Sequence, residues 1–269
     1  MPLFRDRRHR RTPGVAAAGV CALLLFAGAA GRASAQTLYG ANGLFVHPTA
    51  YLQPKGTLNL NASFFQVDPG NGGALNNWIP MGVSYGVNES FNVGVTYLAR
   101  RFRPTGSSPY ETGDSYGAFF RGQLSNGARD GTQVAVNLSF LGGDVRQGAF
   151  QLVASRPLSQ TARYGTVVGH AGLQLVRRDD RSGEDNDTSA GLFLGVEVPV
   201  YTRLSVVAEG ATKLSFDQKP ATGFGVKYTS KSGTNVGVGY INPGRSRTNR
   251  FFFGIGFPLG EGRKPETAP

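Results

Sequence analysis

Along most of the chain, large apolar residues alternate one by one with small or polar ones. In Phe91-Asn92-Val93-Gly94-Val95-Thr96-Tyr97 the large side chains all fall on odd numbers. Successive side chains of an extended strand point to opposite faces, so this spacing predicts a strand with one greasy face and one small, polar face. Leu58, Leu60, Ala62 and Phe64 stand in the same way against Asn59, Asn61 and Ser63. So do Met81, Val83, Tyr85 and Val87 against Gly82, Ser84 and Gly86, and Val134, Val136, Leu138 and Phe140 against Ala135, Asn137 and Ser139. The pattern returns with Leu192, Leu194, Val196 and Val198, with Leu204, Val206 and Ala208, with Phe224, Val226 and Tyr228, and with Val236, Val238 and Tyr240.

Twelve such segments are predicted, at 57–67, 79–87, 91–102, 114–124, 132–141, 147–157, 164–177, 188–200, 204–214, 221–229, 233–242 and 248–258. Most are about 9–13 residues long, which is what a tilted strand needs to cross a bilayer. Soluble strands average about half that. The connections Asp68–Trp78, Arg103–Gly113 and Arg178–Asp187 are long and polar, whereas Asn88-Glu89-Ser90, Tyr201-Thr202-Arg203 and Ser230-Lys231-Ser232 are tight turns. Turns of one parity are therefore short, as when one end of a barrel faces the periplasm and the other the exterior.

In hydrocarbon an open sheet edge leaves backbone N–H and C=O groups unpaired at several kcal/mol each, and closure removes the edge. The fold expected is all-β: a transmembrane, antiparallel, up-and-down β-barrel of about twelve strands. A soluble β-sandwich would share the period but would turn its Leu, Val, Phe and Tyr face inward. Strands this long, with so small and polar an opposite face, disfavour it.

Composition sharpens this picture. Gly makes up 39 of 269 residues, aromatics 11% and charged residues only 17%. That is neither the charge-rich profile of a disordered chain nor the greasiness of a helical membrane protein. The net charge of +11 invites a nucleic-acid reading until the charges are located. Arg5, Arg7, Arg8, Arg10, Arg11 and Arg32, with one acid, Asp6, lie in the first 35 residues. There a basic start, an apolar run over Val15–Ala30 and a small-residue Ala33-Ser34-Ala35 site read as a cleaved signal peptide, 1–35. Its removal leaves 22 basic and 16 acidic residues, a net of +6, and takes away Cys21, the only cysteine. Disulfide and thiolate chemistry are thereby excluded from the processed chain. No recognition motif supports nucleic-acid binding. The remaining chain divides into an N-terminal periplasmic or lumenal segment, 36–56, the barrel, 57–258, and a C-terminal tail, 259–269.

Two stretches carry a resemblance. Phe251, Phe253, Ile255 and Phe257 share one face of the last strand, and this resembles the terminal assembly signal of Gram-negative outer-membrane β-barrels. The resemblance implies the bacterial outer membrane, membrane lipid and lipopolysaccharide around the barrel, and the outer-membrane assembly machinery as partners. Gly40-Ala41-Asn42-Gly43-Leu44-Phe45-Val46-His47-Pro48-Thr49-Ala50 resembles the opening of outer-membrane barrels associated with exopolysaccharide secretion. On its residues alone, this Gly- and Pro-rich segment is read as entering the lumen or lining the periplasmic mouth.

Candidate chemistry is sparse. Gly82-Val83-Ser84-Tyr85-Gly86 matches a nucleophile-elbow pattern, but it lies within an alternating strand and lacks the strand-to-helix turn that lifts such a serine out. An outer-membrane phospholipase family uses Ser and His on the lipid side, whereas the period turns His170 inward. The acidic stretch Asp179, Asp180, Glu184, Asp185 and Asp187 lacks calcium-loop spacing and reads as solvated, so no metal and no cofactor is expected. The period also places Arg121, His170, Glu197, Glu209, Lys213 and Lys227 in the lumen. Gly82, Gly86, Gly94, Gly223, Gly225, Gly237 and Gly239 share that interior and leave room in it.

Near the long connections stand Arg100, Arg101 and Arg103, then Arg177, Arg178 and Arg181, then Arg245, Arg247 and Arg250, a rim of planar cations suited to lipopolysaccharide phosphate. The function expected is a narrow channel or export-associated pore for small polar solutes or glycan, with no enzymatic role. A non-conducting structural barrel that binds lipopolysaccharide or a partner through its loops is the alternative, and a lipase-type enzyme the third.

Overall fold

The computed structural model describes residues 43–67, 76–102, 111–127, 131–161, 164–179, 186–215, 217, 219–244 and 250–259. The expected signal peptide 1–35, the first residues of the 36–56 segment and all but the first residue of the 259–269 tail lie outside them. The described residues form twelve strands: β1 (Leu58–Val67), β2 (Asn76–Asn88), β3 (Phe91–Phe102), β4 (Glu111–Asn126), β5 (Gln133–Gly143) and β6 (Arg146–Thr161). They continue as β7 (Gly165–Asp179), β8 (Asn186–Tyr201), β9 (Leu204–Ala211), β10 (Thr222–Thr229), β11 (Asn235–Asn242) and β12 (Arg250–Leu259).

Each strand pairs antiparallel with its neighbours in sequence, and β1 pairs with β12 to close the barrel. The seam aligns Leu60 with Phe257, Ala62 with Ile255 and Phe64 with Phe253, so apolar cross-strand pairs zip the outer face where the two ends of the sheet meet. The period-two pattern holds all the way round. On the outside, Leu138, Phe140, Leu173, Leu175, Leu192, Leu194, Phe224 and Phe251 are exposed, the belt that bilayer hydrocarbon covers. Short turns such as Glu89-Ser90 and Thr202-Arg203 gather at one end. The longer connections gather at the other, except that β5 and β6 are joined there by Asp144-Val145 alone and that 127–132, between β4 and β5 at the short-turn end, is as long as the β7–β8 connection.

Two expectations are corrected. β9 ends at Ala211 rather than at 214, and Lys213, expected in the lumen, is exposed in the connection to β10. Leu214 instead turns inward and packs against Ala149 and Val176. Alternation in the sequence continues past the point where the ladder stops, and burial rewards the leucine, not the lysine. The inner face is likewise not small and polar throughout. Towards the long-connection end, Phe65, Val67, Trp78, Leu98, Val145, Ile241 and Phe252 form a buried apolar cluster inside the barrel. Polar residues dominate only nearer the short turns.

Candidate functional site

The segment before β1 lies inside the lumen. Gly43 and Pro48 bridge each other, and the Leu44 N–H donates to the His47 carbonyl at 2.9 Å, so residues 43–48 make a tight hairpin turn. Its geometry turns three successive backbone N–H groups the same way, the arrangement that binds an anion. That anion is Glu209, on the inner face of β9. Its Oε1 accepts from Phe45 N at 2.9 Å and Val46 N at 2.7 Å, and its Oε2 accepts from His47 N at 3.0 Å. The His47 ring adds Nδ1 to Oε2 at 2.9 Å. The Glu209 side chain is completely buried, and these charge-assisted bonds replace the water it has lost.

From the hairpin the chain crosses the lumen. Thr49 C=O accepts from the guanidinium of Arg121 on β4, which is 1% exposed. Ala50 N–H donates to Ser155 Oγ on β6 at 2.8 Å, and Ser155 in turn lies 2.8 Å from His170 Nδ1 on β7. Gln53 reaches Ser84 on β2. The chain then leaves through the short-turn mouth, where Gly56 N–H donates to Gly86 C=O at 2.8 Å and Gly86 N–H to Thr57 C=O at 3.0 Å. Gly56 sits at φ 77°, a conformation that glycine adopts without a Cβ penalty.

Apolar contacts complete the seating. Phe45 packs against Phe252 with ring centroids 5.1 Å apart, the His47 ring stacks on Phe193 at 4.6 Å, and the Tyr51 ring meets His170 edge-on at 6.1 Å. Leu44, Phe45 and Val46 belong to the same cluster as Phe65, Trp78 and Ile241. The room that the lumenal glycines were expected to leave is therefore taken. A Cβ on Gly195 would meet Leu44 Cδ1 at 2.1 Å, one on Gly223 would meet Glu209 Oε1 at 2.6 Å, and one on Gly94 would meet the Phe119 ring at 2.2 Å. These glycines make space for the plug, for its anchor and for large inward side chains.

Of the residues predicted for the lumen, Arg121, His170, Glu197, Glu209 and Lys227 have inward positions, and Lys213 does not. Lys227 Nζ donates to Glu197 Oε2 at 2.6 Å, an ion pair between the inner faces of β10 and β8. Glu209, Gly195, His170 and Ser155 are cross-strand partners in one row from β9 to β6, and the plug rests along that row. Ser84 and Ser155 were not singled out as lumen residues, and neither was the donor role of Phe45, Val46 and His47. The only signal for that role was a Gly-to-Pro turn standing about ten residues ahead of the first strand.

Five of the nine rim arginines are among the described residues, and these five do not come together as one site. Arg103, Arg181, Arg245 and Arg247 lie outside the described residues. Arg100 lies over the Trp78 ring with its guanidinium 5.7 Å from the centroid, and it is 3.4 Å from Asp144. Arg177 pairs with Asp179 at 3.0 Å, Arg101 is exposed, and Arg178 and Arg250 are half-buried. All five stand at the long-connection end, but at three separate places around the ring, on β3, β7 and β12.

No family model and no curated protein matches the chain. Among solved structures it is similar to the KdgM porin, with a TM-score of 0.52, 7% identity, and coverage of 76% of this chain and 99% of that one. The same porin in complex with disordered oligogalacturonate gives a TM-score of 0.52 at 9% identity, again covering 76% of this chain and 99% of that one. The translocator domain of the autotransporter NalP from Neisseria meningitidis is similar at a TM-score of 0.47 and 14% identity, over 76% of this chain and 88% of that one. What the chain shares with the porin is the fold, a closed antiparallel β-barrel, here with a belt of exposed apolar side chains on its outer face.

Proposed function

We propose that the protein is an outer-membrane channel for small polar solutes or glycan, shut at rest by its own residues 43–57. One observation carries this reading: four polar or charged wall residues on four different strands are fastened to the plug. A barrel built to be solid fills its interior with side chains from its own strands. Here Glu209, Arg121, Ser155 and Ser84 take their partners from a segment that reaches the barrel through one mouth. With that segment withdrawn, they line a hydrophilic aperture whose selectivity follows from its width and fixed charge. Withdrawal also takes Leu44, Phe45 and Val46 out of the apolar cluster that blocks the other half of the lumen.

The apolar cluster favours a second reading, a non-conducting structural barrel. Planar-bilayer recordings of the folded protein decide between them. A channel with an internal plug gives brief, discrete openings that become more frequent with applied voltage. Persistent silence across all voltages, from protein shown to be folded, selects the structural barrel.

A further inference from the structure

Glu209 and Arg121 hold the plug from opposite sides. Counted around the ring, β9 and β4 are five strands apart along one arc and seven along the other, close to diametrically opposed. Four plug residues make these contacts: Phe45, Val46 and His47 present N–H groups to the carboxylate, and Thr49, with only Pro48 between it and His47, presents its carbonyl oxygen to the guanidinium. The turn thus spans the lumen as an oriented dipole, its positive end on the anion and its negative end on the cation. Both wall groups are buried in the closed barrel and would have to exchange these partners for water or solute if the turn left.

We infer that Glu209 and Arg121 are the two clamps of a displaceable gate, and that in the open pore the same pair forms a constriction with opposite charges on facing walls. The inference rests on the channel reading and adds its regulation. Among the described residues of this half of the lumen, Lys227 and Glu197 pair with each other, whereas Glu209 and Arg121 carry opposite charges on facing walls. Such a constriction is nearly neutral overall. It aligns dipolar and zwitterionic solutes, and it loses its balance when either member loses its charge.

Three variants of the full chain test this in planar bilayers. Ala50→Cys with Ser155→Cys joins the plug to the wall at a place where Ala50 N and Ser155 Oγ are already 2.8 Å apart. The disulfide-linked form should be silent, and reduction should restore openings. Glu209→Gln removes the charge and sets an NH2 group against His47, so it should raise the open probability roughly tenfold or more, because bonds to a charged acceptor are lost. Its reversal potential in a salt gradient should shift towards anion selectivity. Arg121→Gln should also open more often but should shift towards cation selectivity.

Undiminished conduction through a verified disulfide-linked protein overturns the gate and leaves the channel standing. Openings in Glu209→Gln without a change of selectivity overturn the constriction. Silence of the parent and every variant overturns the channel reading, and the gate with it. The cross-linked pair retains both charged residues, so the gate can be judged even if Arg121→Gln does not fold.

Discussion

Glu209 shows how much one side chain can organise. It stands at an ordinary inward position of an alternating strand, but the carboxylate collects three main-chain donors and one imidazole nitrogen because Gly223 beside it has no Cβ to occupy the space. Gly86 does comparable work at the mouth. A Cβ there would lie 2.1 Å from the Pro54 carbonyl oxygen and 2.9 Å from its carbon, contacts with backbone that no side-chain rotation relieves. Gly86→Ala should therefore push residues 53–56 away from β2 and cost about 1–3 kcal/mol, as overpacking does. Thermal unfolding in detergent checks this. Gly195→Ala is the control, since its Cβ meets only the terminal Leu44 Cδ1 within 3 Å, and it should cost distinctly less.

A strand succeeds or fails by its two faces together. β8 carries Leu192, Leu194, Val196 and Val198 outward and Phe193, Gly195 and Glu197 inward, so each face meets a different medium. Leu194 is 66% exposed near the middle of the strand. Leu194→Arg should cost about 2–4 kcal/mol if that face lies at mid-membrane depth, measured by unfolding from lipid vesicles. A neutral result would mean that water, not acyl chains, covers the belt. β9 shows where the period stops being informative. The letters Thr212-Lys213-Leu214 continue the alternation, but the ladder ends at Ala211, and the inward place goes to Leu214.

For the whole molecule, the closed hydrogen-bond ring is the decisive feature. Every strand has two paired neighbours, so there is no edge from which detergent can begin to unzip the sheet. The folded protein should resist SDS at room temperature and change its gel mobility only after heating. A single mobility in heated and unheated samples, from protein extracted from outer membranes, would contradict the closed barrel. The plug adds a second level to this stability. It is held by hydrogen bonds and packing within a ring whose strand pairings begin at Leu58, so its withdrawal would break none of them.

The twelve strands, their inward and outward faces and the parity of long and short turns were legible in the sequence, because a strand between two media records both in successive residues. Phe251, Phe253, Ile255 and Phe257 could be placed on the lipid side by counting alone. Inward positions for Arg121, His170, Glu197, Glu209 and Lys227 followed from the same count. The Gly- and Pro-rich segment 36–56 was read as entering the lumen or lining the periplasmic mouth, but which wall residues hold it did not follow, since alternation describes a residue's own strand and says nothing of a segment more than a hundred and fifty positions away. Only the tertiary structure joined Phe45, Val46 and His47 to Glu209 across separations of 162 to 164 residues. A turn's N–H groups are the same in every sequence, and only the closed ring brings a carboxylate to meet them.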